Sequence, residues 1–391
     1  MTGRNDWSST LEESKNSYFY PALAASYVFT DAIGIKSDIL SFGKLRASWA
    51  KVGNDAPAFS LYKTFLIGQQ FNGQPTITTP NTSNYKDLEP EFTSESELGF
   101  QLDFFKGRIG LDFTYYDKRS TNMIAKVSVP ASSGYEYKWN NIGELKNSGV
   151  EIGLNLTPVT LNNGFKWNIF TSFTHNKSEV KSLMEGVERL VVEDLSLDDM
   201  QPVLEPGKAY GVYRGTRPLI DSATNALVID PLTGFPYLDK EVGIIGDPNP
   251  DYKLVITNTF SYKNLSLSIL WDCTHGGDIY SVTLNSLMGR GVTKDTEDRE
   301  HALIIPGYYG DADGNLYLDN NGNPIPNHTL MSTNDMYFYG GGPETSFALN
   351  AAGYYLIYDA TVYRLREVTL SYDLPKSWFG KIPIGSATYI R

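Results

Sequence analysis

The side chains able to do chemistry are few and scattered. The histidines are His175, His275, His301 and His328, and Cys273 is the single cysteine. The four imidazoles fall in four different regions with no ligand spacing, which reads as loop or strand-end histidines rather than a metal or acid–base centre. Carboxylate pairs such as Glu95/Glu97 and Asp198/Asp199 read as charges on a polar face or loop before they read as a catalytic pair. Cys273 follows Trp271 and Asp272 at a strand end, the setting of a packed thiol. No Gly-x-Ser-x-Gly elbow, Walker loop or dinucleotide fingerprint occurs. No catalytic residue is assigned, and the chain is not expected to be an enzyme.

Two loop clusters could bind a ligand. Asp311, Asp313 and Asn315 offer hard oxygens at alternate positions, with Gly314 among them and Asp319 further on. Calcium takes oxygens at such a spacing and uses a glycine for the sharp turn. The residue at the twelfth position is Gly322, where a bidentate Glu would be needed, so a pair of Asp-Gly and Asn-Gly hairpin turns explains the same letters without an ion. The expectation is no cofactor other than this candidate structural calcium. The second cluster is Tyr308, Tyr309, Tyr337, Phe338 and Tyr339. Aromatic faces in a polar loop suit a sugar or peptide ligand, and suit loop packing or a membrane interface equally.

These residues hang on strands. At Asn141 to Asn155, NIGELKNSGVEIGLN, a glycine-punctuated turn segment opens into strict alternation. Val150, Ile152, Leu154 and Leu156 point one way, and Glu151, Gly153 and Asn155 the other, because strand side chains alternate between faces. The same two-walled pattern recurs. Thr93 to Phe105 and Arg108 to Lys118 read as a hairpin turning at Lys106-Gly107, with Gln101, Asp103 and Asp112 on its polar wall. Asn168 takes that wall in Phe165 to Phe173. Lys253 to Tyr262 and Leu265 to Trp271 turn at Lys263-Asn264. Near Arg366-Glu367 the apolar phase switches, which predicts a one-residue bulge. Phe19 to Phe29, Lys44 to Gly53, Lys208 to Arg217, a hairpin over Asp221 to Lys240, and two strands over Tyr354 to Asp373 complete the expected set. Short helices are expected near Asp31 and over His275 to Arg290.

Composition narrows the class. Of 391 residues 41% are hydrophobic and 13% aromatic, with 26 Tyr and 35 Gly. No run of 18 apolar residues exists, so no transmembrane helix is expected. A net charge of -12 argues against a nucleic-acid partner. Runs of ten or more alternating residues exceed the usual sandwich strand and match the length that crosses a bilayer. Short turns at one end and long polar loops at the other are the asymmetry of an outer-membrane barrel. A soluble all-β fold, such as a carbohydrate-binding module, stays open on this pattern.

The segment NIGELKNSGVEIGLN resembles a strand motif of the SusC/RagA family of TonB-linked outer-membrane proteins. IGDPNPDYKLVITNTFSYKNLSLSILWDCTHGGDIY, Ile245 to Tyr280, is similar to that family's Asn-Pro turn, hairpin and Gly-Gly-Asp-Ile element. KLRASWAKVGND, TYYDKRSTNMI, EPGKAYGVYRG and YRLREVTLSYDLPKSW agree in order. The resemblance implies an all-β antiparallel transmembrane barrel, with roughly 12–14 strands present of a larger barrel of about 22. Residues 1–391 would be its C-terminal part, without signal peptide, plug domain or closing strands. The polar N-terminus MTGRNDWSST and the strand-like end Ala387 to Arg391 carry that expectation. Gln101, Asp103, Asp112, Glu151, Asn155 and Asn168 would then face the lumen, and the apolar wall would face outer-membrane lipid. The implied activity is TonB-driven import of a bulky glycan or peptide with a SusD-like surface lipoprotein. A passive porin or surface adhesin is the other membrane reading.

Overall fold

The computed structural model describes residues 1–192, 200–334, 353–375 and 388–390. Its main body is one 11-stranded sheet in which strands adjacent along the chain are adjacent in space. The strands are β1 (Thr2–Trp7), β2 (Ser17–Val28), β3 (Leu40–Asn54), β4 (Glu91–Phe104), β5 (Ile109–Thr121) and β6 (Gly143–Thr160). They continue with β7 (Phe165–Leu183), β8 (Tyr252–Tyr262), β9 (Leu265–His275), β10 (Val362–Asp373) and β11 (Thr388–Ile390). Every pairing is antiparallel, an open up-and-down meander. From β3 to β9 the strands are 11 to 19 residues long. A bilayer crossing takes about 9–11 residues.

Hydrogen-bonded register aligns the alternation from strand to strand. One row of cross-strand partners reads Tyr27, Leu45, Phe100, Phe113, Ile152, Phe173, Leu254, Cys273 and Tyr363. The neighbouring row on the other face reads Arg46, Gly99, Thr114, Glu151, Thr174, Lys253 and Thr274. A one-residue slip would exchange the two walls, so the pattern pins the register. Aromatic partners add offset stacking on the apolar wall, Phe100 on Phe113 at 5.1 Å and Trp167 on Phe260 at 5.7 Å between ring centres.

Connections differ sharply at the two ends. Residues 29–39, 105–108, 161–164 and 263–264 close one end. The other end carries 55–90, 122–142, 184–251 and 276–361, which fold into small sheets of their own. The buried apolar clusters lie on this side. Leu11, Tyr18, Tyr20, Leu61 and Leu88 form one, and Ile142, Val180, Leu190 and Leu204 a second. Ile229, Ile305 and Met331 form the third. The central stretch of the great sheet contributes no such cluster among the described residues.

Most expected elements are present, with instructive differences. Helices occupy Phe29–Ala32 and Val282–Gly289. The bulge in β10 is present, for partners pass from Glu367 opposite Leu270 to Leu365 opposite Trp271 and skip Arg366. The strand expected at Lys208 to Arg217 is Val212–Gly215, and it joins a loop sheet rather than the meander. The 221–240 hairpin is likewise loop structure. The first of the two strands expected within Tyr354 to Asp373 is a 3-10 turn and a short loop strand, Ile357–Asp359. Loop segments alternate as barrel strands do but are short, so alternation alone does not separate the two kinds. Conversely β1, TGRNDW, pairs along β2 although its sequence has no apolar phase to predict a strand. The first hairpin turns over 105–108 rather than two residues, with Phe105, Lys106 and Gly107 all at positive φ.

Candidate functional site

The polar wall gathers the residues singled out for it. Gln101 pairs across strands with Lys44 and Asp112, and Asp112 with Gly153. Asp103 and Asn155 both face Gly110. Glu151 lies between Thr114 and Thr174. Asn168 accepts a hydrogen bond from the Thr157 hydroxyl at 2.9 Å. All six therefore share one face of the sheet.

That face is held by charge-assisted contacts the sequence did not announce. Arg46 of β3 reaches across β4 and grips Asp112 of β5 through both terminal nitrogens, one at 2.9 Å, and also meets the Thr114 hydroxyl. Such forked pairing is the strongest form of side-chain hydrogen bond. The span is open because Gly99 lies between them. A Cβ there would stand 2.7 Å from Arg46 Nε and 2.6 Å from the Phe113 carbonyl oxygen. In β9 and β10, Asp272 accepts from Arg364 through two bonds of 3.0 Å and from Arg366 at 3.0 Å. The bulge supplies the second guanidinium. The signal for these pairs was the polar phase of each strand, and register was needed to match partners.

On the opposite wall large apolar side chains stand uncovered. Leu45 is 50% exposed, Leu98 60%, Trp271 47% and Leu365 51%. Large apolar side chains exposed side by side mark a surface that meets an apolar phase or a partner. No helix among the described residues is long and apolar enough to cross a membrane, so any crossing falls to the strands.

The loop candidates are placed differently from one another. Asp311 and Asp319 lie in two successive tight turns. Asp311 accepts from the backbone N–H of Asp313 and Asn315 at 3.0 and 2.9 Å, and Asp319 from Asn321 and Asn323 at 2.8 and 2.9 Å. Gly314 and Gly322 take the left-handed positions, φ 90° and 82°. The Asn315 side chain and backbone hold the Asp311 carboxyl below its usual range, and the Asn323 backbone does so for Asp319. Asp313 pairs with Lys240 instead. The carboxylates considered for calcium thus serve two turns and an ion pair, and no three acidic, His or Cys groups converge among the described residues. Tyr309 accepts from His328 N–H and shares a hydrogen bond with Thr329, both 2.8 Å, while packing on the Ile229 cluster. Tyr308 pairs with Val228 in the same small sheet. Tyr337, Phe338 and Tyr339 lie outside the described residues, as do Asp198 and Asp199.

Above the second cluster, two loop sheets meet around a cavity of about 750 Å³. One has the order Thr82–Ser83, Tyr137–Asn141, Ile124–Ser128; the other runs Leu190–Val191, Met200–Leu204, Val212–Gly215, Gly243–Gly246. This volume is within the range of small-molecule and peptide sites.

Known proteins share this architecture. Residues 1–269 match the family model described as TonB dependent receptor-like, beta-barrel. TonB-dependent receptor P26 of Formosa agariphila is 27% identical over 415 residues, covering 99% of this chain and 38% of that protein. TonB-dependent receptor SusC of Bacteroides thetaiotaomicron is 25% identical over 196 residues, covering 48% of this chain and 19% of its own length. The structure of the RagAB peptide transporter superposes with a TM-score of 0.70 at 19% identity, over 99% of this chain and 40% of that one. This chain therefore spans well under half of the relatives it matches, and its long strands, two walls and uncovered apolar face are those of an outer-membrane barrel. It belongs to the TonB dependent receptor-like β-barrel family.

Proposed function

We propose that this chain is part of the barrel wall of an importer for a bulky nutrient, an oligosaccharide or oligopeptide. Import would be driven through TonB, with a SusD-like surface lipoprotein as partner. The observation that carries the reading is the pair of walls. An uncovered apolar face suits lipid, and a polar face braced by Arg46–Asp112 and Asp272–Arg364 suits a water-filled or plugged lumen. The long loops with their own packed cores form a firm rim on which a lipoprotein could seat. The names of relatives support the same direction, since one is SusC and another the RagAB peptide transporter. No group in the lumen row is arranged for covalent chemistry, so the work is binding and passage.

The test is uptake of labelled oligosaccharides and oligopeptides by cells with and without the gene. Import is expected to vanish on deletion and on collapse of the proton-motive force, and a lipoprotein should co-purify in detergent. Gene-dependent uptake that survives an uncoupler would instead identify a passive porin. A protein that stays monodisperse in buffer without detergent would identify a soluble module.

A further inference from the structure

We propose that the outer edge of Ile124–Ser128 is a receiving strand for an extended acidic peptide, which adds as a fourth strand to its small sheet. Hydrogen-bond phase carries the argument. Ile142 N–H donates to the Met123 carbonyl at 2.7 Å, and Val129 N–H to the Glu136 carbonyl at 2.9 Å. In an antiparallel pair bonded and non-bonded positions alternate. With Lys126 opposite Trp139 and Ser128 opposite Tyr137, the odd-numbered residues bond inward. The N–H and C=O groups of Ile124, Lys126 and Ser128 therefore point to the free edge. Ile124 shows what that edge seeks, for its N–H donates to a carboxylate, Glu91 Oε1, at 2.7 Å. Among the described residues the N–H groups of Lys126 and Ser128 find no such acceptor. An unpaired edge of this kind is a template for one more strand.

The surroundings suit a strand with two different faces. Ala125 and Val127 pack towards the Leu190 and Leu204 cluster. Lys126 and Trp139 share the other face, the ammonium 5.4 Å from the ring centre. Ala125, Lys126 and Ser128 line the cavity of about 750 Å³ together with Leu190 and Val191, so the edge has room beside it. An incoming strand, whose side chains alternate, would meet an apolar wall on one side and an aromatic, cationic one on the other.

Charge selects the occupant. The chain carries net charge -12, yet among the described residues no Asp or Glu lines this cavity. Lys126 makes no ion pair among the described residues. A lysine on an edge strand discourages indiscriminate pairing, and it admits a strand that brings a carboxylate to that position. The aromatic rings would also suit a sugar. Regularly spaced backbone donors and acceptors match a peptide backbone, and that decides between them. The proposal rests on the importer reading only in making this peptide the cargo.

The test is fluorescence anisotropy on the receptor purified in detergent, with a labelled hexapeptide alternating Glu and Leu. Backbone N-methylation at alternate residues, or Lys in place of Glu, is expected to weaken binding by about tenfold or more. Ser128→Pro removes only an outward donor and should weaken binding similarly with heat-modifiable mobility unchanged. Lys126→Glu should reverse the preference towards the Lys peptide. Equal binding of the N-methylated peptide would overturn the proposal. So would a uronate oligosaccharide that competes for the site and is indifferent to Ser128→Pro. Binding here without uptake of the same peptide would count against the importer reading and leave the strand site standing. Uptake without binding here would do the reverse.

Discussion

At Gly99 one missing carbon decides whether the polar wall can keep its ion pair. The nearest atoms to a Cβ there include the Phe113 carbonyl, which is backbone and cannot swing aside. Gly99→Val is therefore expected to lower stability by about 1–3 kcal/mol, the usual cost of overpacking. It should be read as earlier loss of the compact, heat-resistant band on a gel. Gly153→Ala is the control, because its Cβ meets only Asp112 Cβ at an ordinary 3.7 Å. In the loops the residue-scale question is protonation. The Asp311 carboxyl is held low by Asn315, side chain and backbone, and Asp319 by the Asn323 backbone. A depressed carboxylate contributes stability that is complete above its unfolded value, about 3.9, and is lost as pH falls through the folded one. Protection against amide exchange over 311–323, relative to the unstructured rate at each pH, should hold from neutral pH to about 4 and fall below that. Because turn donors already occupy these oxygens, a chelator is expected to leave that exchange unchanged; chelator-sensitive exchange would place calcium there.

At the scale of elements the bulge in β10 is the informative one. Tyr363 and Leu365 share the apolar wall with Val368, Leu370 and Tyr372 only because Arg366 is left unpaired. Deleting Arg366 would make Leu365 and Glu367 neighbours in the ladder, opposite Trp271 and Leu270, so both apolar halves of β10 would keep their face and only the second guanidinium on Asp272 would be lost. The deletion is therefore expected to preserve the heat-modifiable form, as Arg366→Gly should; loss of that form on deletion alone would mean that the bulge itself, and not only the phase of the apolar residues, is needed. This bulge was legible in the sequence because two apolar phases collided within one strand. The long hairpins and both walls were legible for the same reason, since alternation is a local property of neighbouring residues. Arg46 with Asp112 was not, for the partners are far apart in sequence and meet only through the registers of β3, β4 and β5. Membership of the small sheets was also hidden, because Val212–Gly215 alternates no differently from a short barrel strand. Tyr309 shows the limit in the loops: its letters suit a ligand platform and loop packing equally, and its bonds to Thr329 and His328 appear only in the structure.

For the molecule as a whole, the usual arrangement of inside and outside is inverted across the great sheet. Large apolar residues along its middle, Leu98 and Trp271 among them, are exposed, while the buried clusters sit among the loops and the strand ends beside them. A soluble fold would lose stability from that exposure; a bilayer makes it the stable arrangement, since no water then touches the apolar wall. The two walls should therefore answer oppositely to the same substitution. Leu98 lies midway along β4 on the apolar wall, and Gln101 lies three residues on, on the polar wall. Leu98→Arg is expected to cost about 2–4 kcal/mol when the protein is folded into lipid vesicles, the known penalty for a cation at mid-bilayer depth. Gln101→Arg, beside Asp112 and away from lipid, should cost under about 1 kcal/mol. Reversible folding in urea with lipid vesicles measures both. Equal costs for the two would mean that lipid does not meet the Leu98 wall, and the assignment of faces would fall with it. A large difference in the stated order ties the alternation first visible at Val150 to Leu156 to the side of the sheet that meets the membrane.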